Sequence, residues 1–276
     1  MGNEKYGQVL AWWREKGIKT DAQLAEVLNG HSIAFAYNSG KIENPQITYN
    51  DTREVFEHDG VTSYTGDLRT LFEIRNAKIA YEFFLESFNV HHNFNEDFLK
   101  RLQKLLTQNT YDTRRWQLGE RPGEYKYHDY VTGREEVGAL PQDVPEEMGE
   151  LLAEIGEVIE KGKAEGSKAS KTSEVSMSSQ ASDNSKADAA LIAAAYFHVK
   201  FENIHPFADG NGRTGRLAMN YLLLLLNHPP IIIHEEDRKD YYTALEAWDT
   251  DQTLDTMVEF LQSQAIKTWE KRVLRI

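Results

Sequence analysis

Residues 217–226 form the most apolar stretch of the chain and directly follow a twelve-residue segment, 205–216, that is rich in glycine and charge. Ten residues are too few to cross a bilayer, so the stretch is typical of a buried core helix. A helix that is apolar on all sides is stable in water only when other elements surround it. The sequence therefore predicts a globular body packed around this helix, with the polar segment at one end of it.

The spacing of apolar residues favours helices along most of the chain, so the predicted fold class is mainly α. The pattern indicates helices over 5–16, 22–28, 32–44, one or two within 50–87, 96–107, 144–160, 187–203, 237–249 and 251–272. Thr20 or Asp21 is suited to cap the second helix, and Asn95 the helix over 96–107. The stretch 109–141 differs, because aromatic and β-branched residues between glycines favour a hairpin or an ordered loop over a helix.

Residues 162–187 break the helical pattern. They contain eight serines, and Val175 and Met177 are their only larger apolar residues. Such a segment buries too little apolar surface to offset the entropy of ordering it. We expect a flexible insertion between two core helices.

Composition narrows the function classes. The chain has 276 residues and a net charge of −13, which argues against a general nucleic-acid binder. It has no cysteine, so it has neither disulfides nor a thiol nucleophile. The first residues lack the basic and apolar regions of a signal peptide, so we expect a cytoplasmic protein that does not associate with membranes.

The segment 205–216 combines residue types that suit phosphoryl chemistry. His205 precedes Pro206, which would end a helix and leave an imidazole at the mouth of a loop as a base. Asp209 offers the hard oxygen that Mg²⁺ prefers. The sequence Gly210-Asn211-Gly212 can present backbone N–H groups to an anion.

Two arginines complete this segment. Arg213 and Arg216 are three positions apart, so they share a helix face and can both reach a polyphosphate. A base, a metal ligand, an anion site and two arginines together predict transfer of a phosphorus-containing group to a hydroxyl.

The segment from His205 to Arg216 resembles the signature of the Fic family, H-P-F-x-[D/E]-G-N-G-R-x-x-R, at every specified position. The resemblance implies a helical core with a short β-hairpin flap, here around 131–137, and transfer of AMP from ATP. It implies that His205 is the catalytic base and Phe207 a structural anchor. The implied nucleotide and Mg²⁺ contacts are Asp209 (also the metal ligand), Gly210, Asn211, Gly212, Arg213, Thr214, Gly215 and Arg216, with Tyr241 and Tyr242 on the adenosine side.

A second motif of the same family lies near the N-terminus. The sequence Ser39-Gly40-Lys41-Ile42-Glu43-Asn44 resembles the inhibitory helix [S/T]-x-x-x-E-[G/N]. The resemblance implies that Glu43 pairs with Arg216 and occupies the place of the ATP γ-phosphate, with Ser39 and Asn44 as the other motif positions. The implied organisation is an N-terminal region 1–60 with the motif at 39–44, a connector 61–96, a core 97–264 and a C-terminal helix end 265–276.

The leading hypothesis is therefore an autoinhibited protein adenylyltransferase that uses ATP and Mg²⁺. Its acceptor would be a Ser, Thr or Tyr hydroxyl of a protein, the chain itself included. Two alternatives stay open, namely removal of AMP from a modified protein with the help of Glu43, and a nucleotide-sensing module without catalysis. The sequence leaves open the target, the modified side chain, the oligomeric state (a homo-oligomer included) and the signal that relieves inhibition.

Overall fold

The computed structural model describes residues 2–130, 138–169 and 178–273. Within these ranges the regular structure is helical and contains no strand, so the predicted mainly-α class is confirmed. A single 3₁₀ turn spans Glu235–Asp237. The α-helices are α1 Gly2–Lys16, α2 Asp21–Val27, α3 His31–Glu43, α4 Tyr49–His58, α5 Leu68–Asn89, α6 Glu96–Thr107, α7 Thr113–Gln117, α8 Val144–Ala169, α9 Ser178–Ile204, α10 Asn211–Leu225, α11 Arg238–Asp251 and α12 Asp255–Val273.

Local capping explains several of the helix starts. Thr20 caps α2 in a reciprocal capping box with Gln23. Asn95 Oδ1 accepts a hydrogen bond from Phe98 N at 3.0 Å and so caps α6. The stretch 50–87 forms two helices, because Asp59 ends α4 in a left-handed conformation and Asp67 caps α5.

The expectation that 109–141 contains no helix is wrong at its start. Residues Thr113–Gln117 form the short helix α7, which Asp112 caps by accepting a hydrogen bond from Arg115 N at 2.8 Å. A helix of five residues is too short to show a 3.6-residue periodicity, whereas its cap is a strong local signal. Residues 131–137, where the hairpin flap is predicted, lie outside the described residues.

The two helices that flank the serine-rich segment are longer than predicted. Helix α8 continues to Ala169 and α9 begins at Ser178, so each extends into the range 162–187. Alanine, lysine and glutamate favour helix even without an apolar face to bury. Residues 170–177 lie outside the described residues.

The central helix is α10, whose residues are buried almost without exception from Asn211 to Leu224. It packs against α9, α6, α5 and α3. Helices α1 and α12 pack against each other, and the rings of Trp12 and Trp13 in α1 contact the ring of Trp269 in α12. Among the helices of the described residues, none combines the length and apolarity needed to cross a membrane.

Helix α3 brings the N-terminal motif to the start of α10. It packs against α4, α5 and α10. The side chain of Ile47 packs directly on the backbone of Gly40. A Cβ atom at position 40 would lie 2.7 Å from Ile47 Cδ1, so glycine permits this close approach. This close packing offsets the helix-weakening effect of a mid-helix glycine. As a result the last turn of α3 faces the polar segment 205–216.

Candidate active site

His205 stands at the turn between α9 and the glycine-rich loop. Its N–H donates to Phe201 O at 3.0 Å, which completes the last turn of α9. The backbone then turns through a left-handed conformation with φ 50° at His205. Non-glycine residues seldom adopt this region, and strain of this kind is concentrated at functional sites. Pro206 O accepts from Lys126 N at 2.9 Å and thereby fixes the chain beyond the turn.

The imidazole of His205 is held in its neutral form. Burial, and then the positive charge of Lys126, lower the pKa of His205 to about 4. A neutral imidazole can accept a proton throughout the physiological pH range.

The loop after His205 is anchored from both ends. The Phe207 ring is fully buried against Tyr125 and Phe201. Asn211 Oδ1 accepts from Phe207 N at 2.9 Å, and Asn211 Nδ2 donates to Phe207 O at 2.7 Å. The Asn211 side chain is therefore a clamp on the loop, and what Asn211 can offer an anion is its backbone N–H.

The N-terminus of α10 is the place where the sequence predicts an anion site. Gly210 precedes the helix with φ 81°, a conformation that suits glycine. The backbone N–H groups at the start of a helix have no intrahelical acceptor, and the helix dipole makes this end positive. A methyl group at Gly212 would collide with Glu43 Oε1. The carboxylate of Glu43 thus lies directly over Gly212, where an anionic ligand would bind.

Arg216 joins this carboxylate to the rest of α3. Its Nη2 donates to Glu43 Oε1 and to Ser39 O, both at 2.8 Å, and its Nε donates to Ser39 Oγ at 3.0 Å. Arg216 is 1% exposed, whereas the Glu43 side chain is 37% exposed. Burial alone would lower the pKa of Arg216, but Tyr241 and Glu43 raise it above its usual value, so the guanidinium stays charged.

Asp209 and Arg213 belong to a second cluster of charges. Asp209 Oδ2 accepts from Arg69 Nη2 at 3.0 Å, and Asp209 Oδ1 accepts from Arg213 Nη2 at 3.2 Å. Glu73 Oε1 accepts from Arg69 Nε at 3.1 Å and lies 3.8 Å from Arg213 Nη1. Glu73 Oε2 accepts from Asn44 Nδ2 at 2.8 Å, so the last residue of the inhibitory motif touches the same cluster. We call Arg69, Glu73, Asp209 and Arg213 the Asp209 cluster.

Arg213 keeps unused donors. Its Nε and Nη1 are buried and have no hydrogen-bond partner in the described part of the chain. Buried donors without partners are costly, so a bound acceptor here would be stabilising. A phosphate group is the kind of acceptor that a guanidinium pairs with best.

The remaining predicted contacts lie at different depths. Thr214 is fully buried, and a Cβ at Gly215 would lie 2.6 Å from Glu202 Oε1, so these two residues face the packed side of α10. Tyr241 is also buried, and its Oη lies 2.8 Å from His198 Nε2 and 3.4 Å from Arg216 Nη1. Tyr242 is 37% exposed, so of these four it is the one that a ligand in solution could reach.

Several residues near the site were not predicted from the sequence. Arg69 and Glu73 come from α5, and Lys126 from the chain before the predicted flap. Glu202 is partly exposed, but its Oε1 atom is buried next to Gly215, and this burial raises the pKa of Glu202 to about 8. His198 is buried against Tyr241. In the sequence, helical spacing connects two pairs of these residues, Arg69 with Glu73 and His198 with Glu202, each four positions apart.

Comparison with known proteins identifies the domain. A sequence model of the Fic/DOC family matches residues 93–223. Two relatives, each named "Protein adenylyltransferase Fic", come from Nematostella vectensis, 56% identical over 52 residues, and Drosophila persimilis, 55% identical over 53 residues. Each match covers 19% of this chain and only 12% or 10% of the relative, so the chain spans about a tenth of the length of these curated relatives.

Solved structures share the fold over almost the whole chain. A Fic domain containing signaling protein from Bacteroides thetaiotaomicron superposes with a TM-score of 0.73 and 23% identity, covering 98% of this chain and 95% of that one. Fic-1 from C. elegans gives a TM-score of 0.71 and 19% identity, covering 99% and 72%. At these identities the likeness is one of fold. Together with the motif at 205–216, the family match shows that residues 93–223 form a Fic/DOC family domain.

Proposed function

We propose that this protein transfers AMP from ATP to a hydroxyl group of a protein side chain, its own included, and that α3 inhibits the transfer. One observation carries the proposal. The Glu43 carboxylate lies over Gly212 at the positive end of α10 and is hydrogen-bonded to Arg216. A carboxylate seated on an anion site with a buried arginine beside it is a competitor for phosphate.

The residues present fit ATP and Mg²⁺. Arg213 has two unused donors, and Gly212 leaves space that any side chain would fill. The described residues contain no cluster of three or more metal-ligating side chains, so Asp209 would be the single protein carboxylate on the cation. Mg²⁺ accepts such a site because phosphate oxygens and water complete its coordination, and when bound it would neutralise phosphate charge.

In the proposed reaction the hydroxyl oxygen of the acceptor attacks the α-phosphorus of ATP. The hydroxyl proton passes to the neutral imidazole of His205, which its lowered pKa keeps unprotonated. The bond from the α-phosphorus to the bridging oxygen breaks, and pyrophosphate leaves. The first N–H groups of α10 and the Arg213 guanidinium stabilise the charge that develops on the phosphates.

The test is the intact mass of the Glu43→Gly variant after incubation with ATP and Mg²⁺. We expect a gain of one adenylyl group, which His205→Ala in the same background removes. Equal incorporation in Glu43→Gly and in the wild type, both above the His205→Ala level, would contradict inhibition by Glu43. Binding of ATP by Glu43→Gly without any product on candidate targets would favour the nucleotide-sensing module instead.

Removal of AMP from a modified protein is a second candidate. The Glu43 side chain is 37% exposed beside the anion site, so a water molecule can reach its carboxylate. That carboxylate would orient the water for attack on the phosphorus of the bound AMP group. The bond from this phosphorus to the side-chain oxygen then breaks, AMP is released, and a proton from the water restores the side-chain hydroxyl. An AMP-modified target supplied without ATP separates the two activities, because Glu43→Gly should lose release of AMP while it gains transfer.

A further inference from the structure

Arg69 lies outside the matched family domain, yet it binds the carboxylate that is predicted to hold the cation, that of Asp209. Both carboxylate oxygens of Asp209 are occupied, Oδ2 by Arg69 at 3.0 Å and Oδ1 by Arg213 at 3.2 Å. With Glu73 the cluster holds two guanidinium and two carboxylate groups, so its formal charges cancel. A divalent cation on Asp209 would therefore meet two positive neighbours, at least one of which has to move away.

The two arginines differ in their freedom to move. The Arg213 side chain is 8% exposed, whereas that of Arg69 is 42% exposed. Arg69 Nε is also hydrogen-bonded to Glu73, one turn further along α5, at 3.1 Å. Arg69 can thus rotate towards water and keep one partner, while Arg213 cannot leave without burying an unpaired charge.

We propose that Arg69 is a positioning residue that competes with Mg²⁺ for the Asp209 carboxylate and so lowers the benefit that the cation gives to nucleotide binding. This inference rests on the proposed function. It adds a second inhibitory contact that does not involve the Glu43 side chain. The second contact is tied to the same helix, because Asn44 at the end of α3 donates to Glu73 at 2.8 Å.

The experiment compares the affinity for ADP with Mg²⁺ and with EDTA, by calorimetry, in the full chain. ADP lacks the γ-phosphate, so Glu43 does not interfere with it. The ratio of the two affinities is the cation benefit. We expect it to be about two- to fivefold larger in Arg69→Ala than in the wild type, because one partly exposed ion pair is lost. The control is Arg75→Ala on the exposed side of α5, which should match the wild type.

Several outcomes would overturn the inference while leaving the proposed function intact. An unchanged ratio in both Arg69→Ala and Arg69→Gln would show that Arg69 does not compete with the cation. A smaller ratio would show that Arg69 holds the nucleotide itself. A gain that survives in the double variant with Asp209→Asn would place the cation elsewhere. If neither the wild type nor any variant bound ADP, Glu43→Gly included, the result would contradict the proposed function itself, and the inference about Arg69 with it.

Discussion

Replacing Glu43 by glycine should change the affinity for ATP without changing the affinity for ADP. The contact between Glu43 and Arg216 lies where the proposal places the γ-phosphate, which ADP lacks. To bind ATP productively, the wild type must break this contact, whereas the variant has nothing to break. The quantity to measure is therefore the ratio of the two affinities.

The structure sets the size of the change. One charge-assisted hydrogen bond links the two side chains at 2.8 Å, and such bonds contribute about 1.5–3 kcal/mol. Because the Glu43 side chain is 37% exposed, solvent screening lowers this contribution to about 1–2 kcal/mol. The preference for ATP over ADP should therefore rise about 5- to 30-fold in Glu43→Gly.

Calorimetry with ADP and with an ATP analogue that carries a methylene bridge between the α- and β-phosphates measures this ratio, since the bridge prevents transfer. Lys41→Gly is the matched control, because it places glycine in the last turn of the same helix and leaves the Arg216 contact unchanged. Equal ratios in wild type and Glu43→Gly would refute the placement of the γ-phosphate.

Arg216 contacts both Ser39 and Glu43, and replacing Ser39 by alanine should affect the stability of the fold more than nucleotide selectivity. The hydroxyl of Ser39 accepts from Arg216 Nε, and Arg216 is 1% exposed. Its loss leaves a buried donor unpaired, which costs about 1–3 kcal/mol of unfolding free energy. Ser39 O still holds Nη2. We expect Ser39→Ala to lower stability more than Glu43→Gly does, and to change the nucleotide ratio less.

Three further predictions concern the loop and the central helix. Gly215→Ala should lower the unfolding free energy in urea by about 1–3 kcal/mol, because its Cβ would lie 2.6 Å from Glu202 Oε1. Gly210→Ala should cost about 1–2 kcal/mol in the same assay, since φ is 81° and the added atom would lie 2.5 Å from a side-chain methyl of α6. Burial first and Lys126 second lower the pKa of His205 to about 4, and the negative charge of Glu43 partly opposes them. The AMP transfer rate of Glu43→Gly should therefore show no loss through protonation of His205 until the pH falls to about 4 or below, and Lys126→Met in the same background should move that loss to higher pH.

Local signals explain how much of this fold could be predicted. Asn95 and Thr20 are adjacent in sequence to the helices that they cap, so the starts of α6 and α2 were predictable. The residues from His205 to Arg216 are contiguous, so one loop and one helix start assemble most of the site. Helix α7 was missed because five residues carry no period.

Contacts between helices that are far apart in the chain could not be predicted from local sequence patterns. Arg69 and Asp209 are 140 positions apart and meet only because α5 packs against α10. The pair of Glu43 and Arg216, 173 positions apart, was predictable only through resemblance to a family motif. Burial of Glu202 Oε1 and of His198 depends on how closely α9 approaches Gly215, and no pattern in either helix specifies that distance.

If α3 inhibits as proposed, the strength of that inhibition depends on the position of α3 more than on the strength of one ion pair. A carboxylate tethered in the same molecule acts at an effective concentration of about millimolar or above, so free ATP gains little advantage while α3 stays in place. The contacts that hold α3 there include Gly40 against Ile47, Asn38 Oδ1 with Glu235 N at 2.9 Å, and Asn44 with Glu73. A factor that relieves the inhibition must therefore loosen these contacts. Because Asn44 also reaches the Asp209 cluster through Glu73, the same movement of α3 would free Arg216 and disturb the hold of Arg69 on Asp209 together.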